Sequence, residues 1–415
     1  MSEATNALGA PSRIVTLDII RGVAVMGIFS VNVVAFAMIE QAYFNPGAYG
    51  GHSGIDLFVW AANLLLIDGK MRTLFSMLFG ASMLLVIDRA EASGQSGTKV
   101  HFRRMLILLG FGLMHYFLLW FGDILTLYAL SGLIAVAFRH RSPRRLIVGG
   151  IVATLVGLMI FASYIAQQHA IDLAAHAPHA KASAIAAWND GLGTYYPSPA
   201  ALAQDIALHR SSWWTLAAHM IENWQQIIPS SIIFLPETIG LMMFGMAGYK
   251  SGFLTGQWSD ASYRRFALAT VPLGLAAFAI LIWADIRSQF QIITVFGGII
   301  VAMVPFRIAM AAGYAALIIL ATRRHGWLAQ RIAATGRAAF SNYLGTSLIA
   351  AFVFYGWGLG LYGSVSRAQA WLLVPLVWLA MLGWSKPWLD RFHYGPLEWL
   401  WRTLSRGHLQ PMRKA

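Results

Sequence analysis

The chain has 415 residues, of which 58% are hydrophobic and only 11% charged, a balance that a soluble domain of this length cannot wrap in a polar shell. Its formal net charge of +13 comes from Lys and Arg clustered between apolar runs, which argues for orientation in a membrane and against a nucleic-acid partner. With no cysteine, disulfides, thiol nucleophiles and Cys-ligated metals are excluded.

The opening MSEATNALGAPS is short and polar. Ala35-Phe36-Ala37 resembles a signal cleavage site, but the segment before it is too long and carries Asp18 and Arg21, so an uncleaved first span is expected. Apolar runs able to cross about 30 Å of hydrocarbon recur from residue 14 to residue 390. Continuous runs such as IVATLVGLMIFASYIA (151–166) read as helices, because membrane strands would alternate. Candidate spans lie near 14–38, 71–91, 101–120, 123–138, 145–168, 229–249, 264–284, 292–320, 335–355 and 369–389. The segment 54–68 is short for a span and reads as a surface-lying or re-entrant helix, so that 54–91 crosses once. The expected fold class is an all-α integral membrane protein, a polytopic bundle of about 10–11 helices.

Placing the N-terminus inside puts Arg103/Arg104, the Arg139–Arg145 cluster, Lys250 with Arg264/Arg265, Arg323/Arg324/Arg331 and the tail from Lys386 to Lys414 on the cytoplasmic side. The expected location is the bacterial cytoplasmic (inner) membrane, with both termini cytoplasmic. Residues 169–228 form one long non-spanning region whose second half reads as amphipathic helices in the outer interface, with Trp213, Trp214 and Trp224 at headgroup depth. The chain thus divides into N-terminal spans with a polar cavity (1–168), an interfacial segment (169–228), C-terminal spans (229–390) and a basic tail (391–415).

Charges in hydrocarbon cost about 2.5–3.5 kcal/mol each on insertion scales, so they normally face a protein interior or a wet cavity. In RIVTLDIIRGVAVMGIFSVNVVAF, Asp18 and Arg21 are three residues apart and can pair. Asn32 returns to the same stripe about three turns later, so a polar line runs along the helix. Such a line faces a substrate cavity or only fixes helix register. In GLMHYFLLWFGDILTLYAL (112–130), Phe121-Gly122-Asp123 reads as a turn, with Asp123 the N-cap of the returning helix. His115 and Tyr128 are then expected to meet across the hairpin, His115 being a candidate base or relay. Lys70, Ser76, Glu237, Arg307, Arg337, Asn342 and Ser347 also punctuate apolar segments; Pro236 beside Glu237 reads as a helix break of the kind found at binding sites. Asp205 and His209 read as an ordinary surface pair. His176 and His179 lack a convincing third ligand, and no metal is predicted.

Several stretches together resemble the bacterial YeiB-like family, the domain of unknown function 418: RIVTLDIIRGVAVMGIFSVNVVAFAM, KMRTLFSMLFGAS, GLMHYFLLWFGDILTLYALSGLI, IGLMMFGMAGYKSGFL, TGRAAFSNYLGTSLI with YGWGLGLYG, and FHYGPLEWLWRTLSRG. The L-D-x-x-R-G-x-A opening also resembles the wider transmembrane acyltransferases, including type three acyltransferases and the lysosomal heparan-alpha-glucosaminide N-acetyltransferase. That resemblance implies transfer of an acyl group from cytoplasmic acyl-CoA to a hydroxyl or amine. Where type three acyltransferases place a catalytic His eleven residues after the matching Arg, this chain has Asn32. The loop His of the lysosomal enzyme finds its counterpart in His52.

The resulting expectation is acyl transfer from acyl-CoA to a lipid-linked or glycan acceptor, with His115 or His52 as base and Asp123 beside it. Asp18, Arg21, Asn32, Lys70, Arg103, Arg104, Tyr128, Glu237, Arg337 and Asn342 are the candidate donor- or substrate-binding residues. The competing class is a transporter or flippase in which Asp18, Arg21, Glu237 and His115 bind substrate or relay protons; a non-catalytic scaffold is third. Membrane lipids are expected partners, and a homodimer through exposed helix faces is compatible with the pattern.

Overall fold

The computed structural model describes residues 14–324 and 326–414, apart from the side chains of Thr194 and Ser230; the polar N-terminal stretch lies outside them. The described residues fold into helices, with one isolated antiparallel bridge between Phe392 and Arg413. Six helices are long and apolar enough to cross a bilayer: Val15–Ala37, Gly54–Ala92, Pro143–Ala175, Asp260–Arg287, Val304–Thr322 and Arg367–Arg391. Trp224–Ile233 and Leu235–Lys250 make a seventh if their 49° bend is crossed as one span. That bend sits where Pro236 removes a backbone donor. The remaining expected spans fall on Gly97–Leu118, Leu125–Phe138 and Ala339–Phe354. The protein is an all-α polytopic membrane protein.

Burial ranks these helices. In Val15–Ala37, 78% of the apolar window is inside the protein, against 28% for Pro143–Ala175 and for Asp260–Arg287. The first helix is therefore the hub, and the other two form the rim, presenting Ile147, Val148, Ile151 and Val152 or Leu268, Leu273 and Ile280 outward. Outward apolar side chains on so long a helix are what hydrocarbon surroundings require. Around the hub pack Trp327–Arg337, Lys70–Ala92 and Ala339–Phe354. The tightest crossing is at Gly22 and Gly336: a Cβ on Gly336 would lie 1.8 Å from the Asp18 carbonyl oxygen, and one on Gly22 2.1 Å from that of Ile332. Small residues allow this backbone approach.

Three segments are broken within. Gly54–Leu66 and Lys70–Ala92 are separate helices that together make one apolar stretch of 39 residues. The junction turns on Gly69 (φ +70°), where an added Cβ would also strike the Arg307 side chain at 2.3 Å. The expected 335–355 span divides at Ala338 into Trp327–Arg337 and Ala339–Phe354. The 292–320 span divides into Ile292–Gly297, a π-helical turn at Gly298–Ala302, and Val304–Thr322.

Several basic residues tie neighbouring segments together. The Lys250 ammonium donates to the Arg141 carbonyl at 2.9 Å, Arg323 to that of Trp258 at 2.8 Å, and Trp401 Nε1 to that of Arg104 at 2.9 Å. The interfacial segment is more engaged than expected. Pro199–His209 and Trp213–Glu222 bury His209, Leu216 and Ala217, and Trp213 Nε1 donates to the Leu118 carbonyl at 2.6 Å.

Candidate functional site: two cavities and a histidine dyad

Two cavities adjoin the hub helix. The larger, about 480 Å³, is lined by Asn32, Glu40, Asp68, Arg72, Asp123, Asp205, His209, Glu237 and Arg307 together with Leu64, Phe234, Phe278, Ile299 and Ile300. Its centre is Glu237, held by Arg72 Nη2 at 3.1 Å and by Arg307. Glu237 and Arg307 are each 6% exposed at the side chain, whereas Arg72 is 25% exposed. One carboxylate between two guanidiniums satisfies a charge that the apolar sequence around it could not carry alone. At the far rim Tyr362 donates to Asp205 Oδ2 at 2.6 Å, and the His209 ring stacks on Tyr362 at 4.2 Å. Burial raises the Asp205 carboxyl, but hydrogen bonds from His209 and Tyr362 outweigh it and hold the group below its ordinary value. Asp205 and His209 do pair at i and i+4, with Nδ1 3.4 Å from Oδ1, but the pair lines the cavity, His209 buried and Asp205 35% exposed at the side chain, and is not an ordinary surface pair.

The smaller cavity, about 300 Å³, lies beside Asp18, Arg21, Arg89, Arg104, Arg337 and Arg402, with His101, Tyr128, His393, Glu398 and Trp401. Arg21 donates to Asp18 Oδ1 at 3.0 Å and to Ser82 Oγ at 2.6 Å. The Arg104 guanidinium stacks over Trp401 at 4.1 Å. Part of the wall is the C-terminal helix Pro396–Arg406, locked in place because Glu398 accepts from Phe340 N at 2.7 Å and Ser341 N at 3.0 Å, capping Ala339–Phe354. Burial raises the Glu398 carboxyl despite those bonds.

The cavities carry opposite charge. The larger has five carboxylates, Glu40, Asp68, Asp123, Asp205 and Glu237, against Arg72 and Arg307; the smaller has five guanidiniums against Asp18 and Glu398. Ile28, Ile124 and Tyr343 line both, forming the septum between them. Beside it lies the turn within 112–130. Gly97–Leu118 ends, residues 119–124 reverse the chain, and Asp123 comes back to His115: the Nδ1–H donates to Asp123 Oδ1 at 2.8 Å. The other carboxylate oxygen accepts from Thr126 N at 2.7 Å, so Asp123 also caps the returning helix, as expected. His115 Nε2 is buried without a hydrogen-bond partner among the described residues, its ring 5.4 Å from Tyr343 and 6.1 Å from Trp120.

Comparison with known proteins agrees with the motifs. Residues 248–408 match the family described as "Protein of unknown function (DUF418)". The protein YeiB of Escherichia coli (strain K12) is 32% identical over 95% of this chain and 96% of its own length. The chain belongs to the YeiB-like family. Within it, the protein YxaH of Bacillus subtilis (strain 168) is 30% identical over 97% of this chain and 96% of its own length. No solved structure matches. What is shared with these YeiB-like relatives is therefore nearly the whole length, spans and intervening segments alike.

In this YeiB-like chain the predicted site residues separate into groups. Asp18 and Arg21 enter the smaller cavity and Asn32 the larger; the polar stripe of the first helix is real, but Ile28 interrupts it, so it serves two chambers instead of one. His115 pairs with Asp123, not with Tyr128, whose hydroxyl meets Ser76 Oγ at 2.9 Å. Lys70 lines neither cavity: its ammonium donates to the Leu64 carbonyl and lies 3.0 Å over the Phe278 ring. Asn342 is a structural knot, donating to the Thr335 carbonyl at 3.0 Å and to Ser385 Oγ at 3.2 Å while accepting from Trp384 Nε1 at 2.8 Å. His52 is exposed, edge-on to Phe290, and lines neither cavity. Arg103 is exposed beside Gly407, whereas Arg104 and Arg337 line the smaller cavity. Sequence reasoning missed Arg72, Arg89, Arg402 and Glu398; the signal available for Arg72 was a cation within KMRTLF that no loop explained.

Proposed function

We propose that the protein transfers an acyl group from acyl-CoA to a membrane-side acceptor across the Ile28–Ile124–Tyr343 septum, with His115 as general base. The observation that carries this reading is the His115–Asp123 dyad beside a septum that divides a guanidinium-rich cavity from a carboxylate-rich one. With its basic clusters inside, the Arg21 cavity faces the cytoplasm, where Arg21, Arg89, Arg104, Arg337 and Arg402 suit the phosphates of the donor. The Glu237 cavity then receives the acceptor from the outer side.

The dyad suits the task because Asp123 fixes the proton on Nδ1 and leaves Nε2 as the acceptor atom. An acceptor hydroxyl or amine gives its proton to Nε2 while its oxygen or nitrogen bonds to the thioester carbonyl carbon. The C–S bond breaks, and the imidazolium returns the proton to the departing thiolate. Asp123 stabilises the imidazolium in between. His115 itself lines neither cavity, whereas the Tyr343 and Trp120 rings packed against it do line the larger one, so access depends on a rotation of those rings.

A second reading is favoured by one feature. Glu237 sits just past a 49° break, between two arginines, in the arrangement that transporters use for substrate or proton. The two are separated with purified chain in lipid nanodiscs given radiolabelled acetyl-CoA and membrane extract. Transfer yields a labelled product that falls by about 10²–10⁴-fold in His115→Asn, with His52→Asn unaffected. Transport instead yields accumulation in sealed vesicles with no labelled product.

A further inference from the structure

We propose that the ligand of the Glu237 cavity is a membrane lipid or lipid-linked molecule that enters sideways from the bilayer, past the short helix Ile227–Ile233. The inference goes beyond the acyl-transfer reading and does not depend on it, since it concerns the shape and route of the ligand and not the chemistry at His115.

The cavity is amphipathic. Leu64, Phe278 and Ile299 on its wall belong to one continuous hydrophobic cluster, with Phe44 and Ile300 packed against it, while Arg72, Glu237 and Arg307 form the polar end. A small water-soluble ligand seated on the charged end leaves that wall uncovered. A ligand with a polar head and an apolar chain covers both.

The route is marked by a wall one helix thick. Ile227 and Ser231, one turn apart, are buried and line the cavity. The adjacent stripe of the same helix, Ile228 and Ile232, is 43% and 55% exposed, and Trp224 just before it is 50% exposed. Across the cavity the wall is the π-helical turn Gly298–Ala302, where Ile299 points inward. Both walls are irregular elements between longer helices, the places where local opening costs least. Neither 223–236 nor 288–306 contains a Lys, Arg, Asp or Glu. A mouth for a water-soluble ligand is ordinarily polar; a charge-free mouth on a membrane-embedded surface admits an apolar chain.

The test uses the full chain in proteoliposomes of phosphatidylethanolamine and phosphatidylglycerol, with a trace of phosphatidylethanolamine bearing a diazirine at the end of one acyl chain. After illumination, adducts are mapped by mass spectrometry. Expected are adducts on Phe234, Phe278 or Ile299, competed by excess unlabelled phospholipid. They fall about tenfold in Ser231→Trp, which fills the inner stripe, and likewise in Ile227→Trp. Adducts on the rim helix Pro143–Ala175 persist in both variants and report an intact fold. Adducts confined to the rim in the parent chain, or inner adducts unchanged in both Trp variants, would overturn the proposal. A parent chain that labels on the inner wall but transfers no acyl group counts against the acyl-transfer reading alone, and rim-only labelling in a chain that still transfers counts against lipid entry alone.

Discussion

Glu237→Ala isolates the energetics of the central cluster. In the folded chain its carboxylate neutralises two guanidiniums, of which Arg307 is as buried as Glu237 itself. Adjacent unit charges at an effective dielectric near 20 attract by about 4 kcal/mol, largely offset by the desolvation of bringing them in. Removing the one anion keeps the desolvation cost and adds repulsion between Arg72 and Arg307, so the expected loss is about 3–5 kcal/mol. For a chain of this size that corresponds to roughly 3–6 °C in Tm, read by tryptophan fluorescence during thermal unfolding in nanodiscs. Arg307→Leu alone costs about as much as a broken buried pair, whereas Glu237→Leu with Arg307→Leu costs clearly less than the two single losses added, because neither buried charge is then stranded. Additive losses in the double variant, or a Tm within about 1 °C of the parent for Glu237→Ala, would refute the assignment of Glu237 as the charge that holds both arginines.

Other outcomes follow from the same contacts. Gly336→Ala drives a Cβ into the Asp18 carbonyl oxygen and lowers stability by about 1–3 kcal/mol or more, whereas Gly345→Ala, with nothing within 4 Å of the new Cβ, gains up to about 1 kcal/mol; thermal unfolding of both variants checks the crossing. The Asp205 carboxyl is held below its ordinary value, so the stability it lends is present above that value and is lost as pH falls through the folded one; hydrogen exchange in 199–209 should rise on acidification in the parent and change less in Asp205→Asn. Glu398 is shifted the other way, so its contribution is full below the ordinary carboxyl value and declines as pH rises through the raised one; Glu398→Gln, which keeps an acceptor for Phe340 N and Ser341 N, should flatten that dependence in the exchange of 396–406. Arg21→Ala with Arg104→Ala should weaken coenzyme A binding by about 10–100-fold, measured by calorimetry, and leave binding unchanged if the smaller cavity is not the donor site.

The helices were legible because their signal is length and apolarity, which the bilayer imposes one segment at a time. Breaks were legible only where a proline announced them: the bend at Pro236 was expected, but the division at Ala338 and the π-helical turn at Gly298–Ala302 arise from packing between segments and have no local mark. The same distinction governs the site. Asp18 with Arg21 and Asp123 as a cap are local relations, readable from spacing. His115 with Asp123 was within reach of sequence reasoning, since the turn was recognised, but the six residues that follow Leu118 fold back more tightly than a two-helix hairpin suggests, so the partner is Asp123 and not Tyr128. Glu237 with Arg72 and Arg307 joins positions 165 and 70 residues apart. No period encodes such a pairing. Lys70 and Asn342 show the converse: an unusual residue in an apolar run signals that a polar partner exists, not that the partner is a ligand.

The septum sets the two functional readings against each other on mechanical grounds. A transporter must move ligand past Ile28, Ile124 and Tyr343, and these come from the hub helix, the turn before Leu125–Ala135, and Ala339–Phe354. Moving any of them disturbs contacts that hold the bundle: the hub is clamped at Gly22 and Gly336, and Ala339–Phe354 is capped by Glu398. An acyl transferase needs only two reacting atoms to meet across the barrier, which ring rotations of Tyr343 and Trp120 can provide while the backbone stays still. The opposite charge of the two chambers points the same way, because one ligand crossing between them would exchange a cationic lining for an anionic one, whereas two different ligands each find the charge they need. Cross-linking decides between these. The chain has no native cysteine, so Ile28→Cys with Tyr343→Cys, bridged by a short bifunctional reagent, pins the barrier without side reactions. Transport should stop in the bridged protein, whereas binding of coenzyme A to the smaller cavity and of lipid to the larger should persist; loss of both would mean that the septum is a moving gate and that the two cavities are halves of one path.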